Sequence, residues 1–138
     1  MVLFTLGTQL LPAQELPTAQ HVENSVKKKG KYAMMVMNPK HLTAALLTGR
    51  QLQQQSPRIK FQIIACGGLV KELSENKELK MAVAEASKIT GHQVVICGLS
   101  ISQFQVNRAD LPPEAIITEN ALIYSFGLQE MGYKMLIL

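Results

Sequence analysis

Apolar residues along the chain fall in short runs that alternate with longer stretches of helical spacing. The run at 32–37 is continuous and apolar, which predicts a strand covered on both faces. Asn38 then fits a helix N-cap with Pro39 at the first helical position, and Ser56-Pro57 ends that helix. The chain therefore contains a strand–helix unit here.

The same unit recurs along the rest of the chain. Further strands are predicted at 59–65, 93–96, 115–117 and 133–138. Helices are predicted at 69–73, along 79–89, and from a Thr118 cap through Met131, with Gly132 at the C-terminal end. The segment from Gly98 through Asp110 has no clear period and is expected to be less regular.

Strands that alternate with helices of this length predict a mainly parallel sheet with helices on both faces. We therefore expect a three-layer α/β/α sandwich with a mainly parallel five-stranded sheet over residues 27–138. Residues 1–26 are interpreted as an N-terminal extension that docks on the domain or on a neighbouring subunit. Because no basic residue precedes the apolar start and Leu11-Pro12-Ala13 is a poor cleavage site, a cytoplasmic protein is expected, with a shortened export signal as the alternative.

Composition narrows the function classes. The chain has 138 residues, 47% of them apolar, which fits one globular domain, and no apolar run reaches membrane-spanning length. The net charge of +4 owes much to the lysines at 27–29 and 31, and aromatic residues make up only 5%. This pattern favours a solvated linker over a nucleic-acid surface. Glycine-rich phosphate motifs are absent and the three histidines are scattered, so neither a cofactor nor a metal is predicted.

The two cysteines are the strongest candidates for chemistry. Cys66 and Cys97 each end a predicted strand and precede a helical or glycine-rich segment, where backbone N–H groups lower a thiol pKa. In parallel sheets, ligands bind at this carboxyl edge. Ser100 and Ser102 follow Cys97 closely and could line the same pocket. Alternatively, both cysteines are small buried hydrophobes, and glycine after each serves an ordinary turn.

Three segments at 66–73, 97–101 and 121–134 match one family in order and spacing. The last contains Leu128-Gln129 and then Gly132-Tyr133 before the final strand. Through these segments the chain resembles the DsrE/DsrF-like family, and the resemblance covers residues 31–138. Members of that family commonly carry a cysteine at the end of a middle strand. The resemblance implies a compact α/β protein that assembles as a trimer or hexamer.

The resemblance also implies a role in sulfur relay, with Cys97 in the position of the cysteine that carries persulfide sulfur between donor and acceptor proteins. The family topology places the second and third strands side by side, about 4.8 Å apart, so Cys66 is a possible resolving thiol for Cys97. If the two side chains point to opposite faces, Cys66 is a packing residue instead. Other functions remain open: a non-catalytic oligomeric module for a small ligand or protein, or a thiol redox sensor that uses both cysteines.

Overall fold

Strands and helices alternate in the computed structural model, which describes residues 2–7 and 15–138. The strands are β1 Lys31–Val36, β2 Lys60–Ala65, β3 His92–Cys97, β4 Ile116–Thr118 and β5 Lys134–Ile137. The helices are α1 Ala19–Asn24, α2 Pro39–Gln55, α3 Gly68–Glu75, α4 Lys77–Ser87, α5 Gly98–Gln103 and α6 Ala121–Glu130. The Leu11-Pro12-Ala13 stretch that was considered as a cleavage site lies outside the described residues.

The five strands form one sheet in the order β4-β3-β2-β1-β5, and every pair of neighbours is parallel. All strands therefore end at the same edge. The predicted three-layer α/β/α fold is confirmed, and each strand lies within one residue of its predicted start. Within the described residues, no helix is long and apolar enough to cross a membrane.

The two faces of the sheet bury different side chains because residues alternate along each strand. On β2, Phe61, Ile63 and Ala65 pack toward the first face, in a cluster with buried leucines and valines of α2, α3 and α4. Ile64 and Cys66 point to the second face, which α6 covers. The carboxyl end of this second face is where the two cysteines lie.

A polar network fixes α6 against the second face. The Tyr124 hydroxyl, on α6, donates to the Gln62 Oε1 of β2. The Gln62 Nε2 lies 3.4 Å from the Tyr133 hydroxyl, just before β5. Since Gln62 is only 8% exposed, these bonds satisfy a buried amide and set the position of the helix.

Two sequence predictions about local structure are wrong. The segment expected to be irregular forms α5 directly after β3, followed by a 3-10 turn at Arg108–Asp110. Thr118 does not cap the last helix: it ends β4, and the Asn120 side chain accepts from the Leu122 N–H at 3.0 Å. Pairing of Thr118 with Cys97 in the ladder keeps it in the strand and moves the helix start two residues along. Gly132 follows α6 with φ +87°, as the C-terminal prediction required.

Candidate functional site

Cys66 and Cys97 meet at the carboxyl edge of the sheet, on the same face. Strands β2 and β3 are parallel neighbours, and their last paired residues, Ala65 and Ile96, immediately precede the two cysteines. Both side chains belong to the apolar cluster under α6, and both are free thiols. They are 7% and 4% exposed. The structure therefore brings the two predicted site residues together.

Backbone N–H groups of two helices lower the pKa of the Cys97 thiol. They are those of Leu99 and Ser100 in α5 and of Ala121 at the start of α6. The Ser100 hydroxyl lowers this pKa as well. Such donors stabilise a thiolate more than a thiol. Cys97 thus sits where the first turns of two helices converge, and their positive ends add to the effect.

Ser100 links the exits of the two central strands. Its hydroxyl oxygen accepts from the Gly67 N–H at 2.8 Å, directly after Cys66, and the same hydroxyl lowers the pKa of Cys97. Ser100 is 5% exposed, so the bond is shielded from water. Gly67 has φ +62°, a conformation that favours glycine, and this conformation ends β2 next to α3.

Gly98 permits the close approach of the loop that delivers Ala121. A Cβ built at Gly98 would lie 2.8 Å from the Thr118 carbonyl oxygen and 2.9 Å from the Glu119 Cα. Real Cβ atoms essentially never come this close to backbone. The β4–α6 loop therefore packs against the start of α5 only because residue 98 has no side chain.

The two thiols have pKa values displaced in opposite directions. Burial by itself would raise the pKa of Cys97, but the surrounding N–H groups and the Ser100 hydroxyl hold it below the ordinary value. Burial, followed by the charge of Cys97 and a hydrogen bond to it, raises the pKa of Cys66 to about 12. Of the two thiols, Cys97 is therefore the one that loses its proton more readily.

Three other polar residues, Ser102, Asp110 and His41, are not among the groups that shift the pKa of Cys97. Ser102 is exposed on α5, and Asp110 lies in the exposed 3-10 turn. The His41 Nδ1 lies 3.1 Å from the Asn38 Nδ2 at the start of α2. Within 2–7 and 15–138, no group of three or more His, Cys, Asp or Glu side chains could hold a metal ion.

Sequence reasoning missed the contribution of α6. Ala121 acts through its backbone N–H, so its side chain carries no signal. The indication that was available is Asn120, a preferred N-cap residue two positions after the one predicted. A helix start at Ala121 would have placed a second set of N–H groups beside the end of β3.

Comparisons with known proteins support the fold alone. No protein-family model matches the chain, and no curated protein matches it. The solved structure of MTH1491 from Methanobacterium thermoautotrophicum is similar at a TM-score of 0.70 and 13% identity, over 79% of this chain and 99% of that one. BT1422 from Bacteroides thetaiotaomicron is similar at a TM-score of 0.60 and 15% identity, over 78% of this chain and 94% of that one. Both are described as proteins of unknown function.

Proposed function

We propose that the protein handles sulfur through Cys97, which accepts a sulfane sulfur as a persulfide and passes it to a partner thiol. The observation that carries the proposal is the position of Cys97, a free thiol beside Cys66 at the ends of two neighbouring strands and directly before α5, with its pKa held below the ordinary value by N–H groups of α5 and α6. In the loading step, the Cys97 thiolate attacks the outer sulfur of a donor persulfide, so that a new S–S bond forms. The donor's S–S bond breaks, and its electron pair leaves with the donor thiolate.

Partner proteins are expected to approach over the first turns of α5 and α6. Leu99 and Leu122 lie in these turns and are 49% and 56% exposed, although Cys97 between them is 4% exposed. An apolar rim around a shielded thiol suits docking of a donor or acceptor protein that excludes water during transfer.

Cys66 enters the proposal as a resolving thiol. Its attack on the inner sulfur of the Cys97 persulfide would form a Cys66–Cys97 disulfide and release hydrosulfide, which carries away the electron pair of the broken bond. Only the thiolate attacks, and the pKa of Cys66 is raised to about 12 by burial and by Cys97. We therefore expect resolution to be slow at neutral pH, which leaves time for transfer to a partner.

The test is intact-mass analysis after incubation with a low-molecular-weight persulfide, followed by peptide mapping. Wild type and Cys66→Ser are expected to gain one sulfur on Cys97, and Cys97→Ser is expected to gain none. Hydrosulfide release should accelerate with rising pH in wild type and be absent in Cys66→Ser. A folded wild-type protein that gains no sulfur, or gains it on Cys66 alone, would contradict the carrier role.

A second candidate function is a thiol redox sensor, which the shared face and neighbouring strands of Cys66 and Cys97 also favour. Here peroxide oxidises Cys97 to a sulfenic acid, and the Cys66 thiol displaces water to form the disulfide. Peroxide would then give the disulfide while the persulfide donor leaves no adduct.

If neither reagent modifies the folded protein, a non-catalytic binding module remains, and an apolar pocket of about 300 Å³ between α2 and strands β1 and β5 is its candidate site.

We further propose that the chain forms a homo-oligomer through the outer face of α6, with a trimer or hexamer as the family resemblance implies. Ile123 and Phe126 are 68% and 67% exposed on this helix, most of whose side chains are apolar. Helices of that kind are normally buried on all sides. Light scattering should report more than one subunit per particle for wild type and fewer for Phe126→Glu. Met81→Glu, which places the same charge at an exposed position on α4, is the control and should assemble like wild type. A monomeric wild type would refute this assembly.

A further inference from the structure

The lysine-bearing turn before β1 is fixed to the domain at several points. The Gly30 N–H donates to the Lys27 carbonyl at 2.9 Å, and the Lys27 N–H donates to the Tyr32 hydroxyl at 3.0 Å. The Ser56 hydroxyl donates to the Lys28 carbonyl at 2.6 Å. A Cβ at Gly30 would overlap the Tyr32 ring, so the turn packs directly on that ring. This turn is therefore a constrained part of the domain, whereas the sequence pattern favoured a solvated linker.

Four lysines from two distant parts of the chain line one pocket beside this turn. The pocket has a volume of about 240 Å³ and lies at the amino ends of β1 and β5. Its lysines are Lys27, Lys29, Lys31 and Lys134. The Lys31 Nζ is held in place, since it donates to the Met131 carbonyl at 3.2 Å and lies 5.9 Å from the centre of the Tyr133 ring.

Within residues 2–7 and 15–138, no lysine of the pocket forms an ion pair with a carboxylate. Among the described residues, the two ion pairs join Lys88 to Glu85 and Arg108 to Glu119, both elsewhere in the fold. Lys31 is also paired in register with Lys60 on the neighbouring strand, an arrangement of like charges that is unfavourable. A concave surface lined by one sign of charge concentrates counter-ions.

We propose that this pocket binds a compact anion that carries two or more phosphate groups. Lysine ammonium groups serve as point charges for phosphate oxygens. A single phosphate carries about two negative charges, fewer than four ammonium groups would neutralise. The concave shape and small volume favour a free small molecule over a polymer. Since the site lies at the opposite edge of the sheet from Cys97, it is independent of the proposed sulfur chemistry.

Titration calorimetry of the full chain with inorganic tripolyphosphate tests the proposal. Binding is expected, and its affinity should fall as salt rises. Lys29→Gln and Lys134→Gln should each weaken the affinity about two- to fivefold, and the double variant about tenfold, as expected for exposed charge pairs. Lys77→Gln removes the same charge from an exposed position on α4 and should leave the affinity within about 1.5-fold of wild type.

Three results would overturn the proposal. The first is no binding of tripolyphosphate at low salt. The second is an equal loss of affinity in Lys77→Gln, because the effect would then follow net charge and not the pocket. The third is tighter binding of a short single-stranded oligonucleotide through the same lysines at physiological salt, since the phosphates recognised would then belong to a nucleic acid. All three substitutions are at exposed positions, so matching thermal unfolding curves would verify that the variants are folded.

Discussion

Replacement of Gly98 by alanine tests the packing that forms the Cys97 site. The new Cβ would lie 2.8 Å from the Thr118 carbonyl oxygen, whereas ordinary contact begins at 3.4 Å, so the atoms must separate by about 0.6 Å. Contacts of 2.9 Å to the Glu119 Cα and carbonyl oxygen are equally tight. All three are backbone atoms, so no side-chain rotation relieves them. Overpacking of this kind costs about 1–3 kcal/mol of the free energy of unfolding.

The same displacement should change the chemistry of Cys97. The shifted loop leads directly into α6, so the Ala121 N–H moves away from the sulfur and the pKa of Cys97 rises toward its ordinary value. Urea unfolding measures the stability, and the pH dependence of alkylation measures the thiol. Gly127→Ala is the matched control, because a Cβ there meets nothing within 4 Å, and the helix should gain about 0.5–1 kcal/mol. The reasoning is refuted if Gly98→Ala unfolds like wild type and alkylates with an unchanged pH profile.

Three further predictions concern titratable and buried groups. Ser100→Ala should raise the pKa of Cys97 and lower the free energy of unfolding by about 1–3 kcal/mol, because the partly buried Gly67 N–H loses its acceptor. The pH dependence of alkylation measures the pKa, and urea unfolding measures the stability. The pKa of Cys66 is raised from 9.0 to about 12, chiefly by burial, so the free energy of unfolding of wild type should fall as the pH rises between those values. Cys66→Ala should lose less stability over the same range. If the stability of both proteins falls in parallel with alkaline pH, this reasoning is contradicted. Burial lowers the pKa of His92 below 6.5, so wild type should lose stability as the pH falls from 6.5 through that lowered value. His92→Leu should lose less stability over the same range. Equal drops in Tm for wild type and His92→Leu between neutral and acidic pH would argue against this cause.

The order of strands and helices could be predicted because burial imposes a period on the sequence. The strand at Lys31–Val36 is continuous and apolar because the sheet is covered on both faces. The helix at Pro39–Gln55 is marked by its Asn38 cap and Pro39 start. By contrast, α5 has six residues and starts directly after a strand, so it offers too little periodicity to be distinguished from a loop.

The hydrophobic pattern of the sequence places Cys66 and Cys97 at strand ends. Only the tertiary structure decided that the two side chains lie on the same face of the sheet. A shift of one residue in the register between β2 and β3 would send one of the two side chains to the opposite face. The observed ladder instead puts both in the cluster under α6. The sequence carries no direct signal for register, because register depends on contacts between residues that are far apart in the chain.

The sequence by itself determined a parallel α/β domain with two cysteines at strand exits, since these features follow from local hydrophobic pattern and turn residues. The tertiary structure decided that the pKa values of the two thiols move in opposite directions. The N–H groups that lower the pKa of Cys97 belong to α5 and, through a loop that only Gly98 admits, to Ala121 in α6. Likewise, Lys134 joins Lys27, Lys29 and Lys31 because β5 pairs with β1. Both sites depend on backbone groups and charges that folding brings together from distant segments, and such groups leave no pattern in a linear sequence.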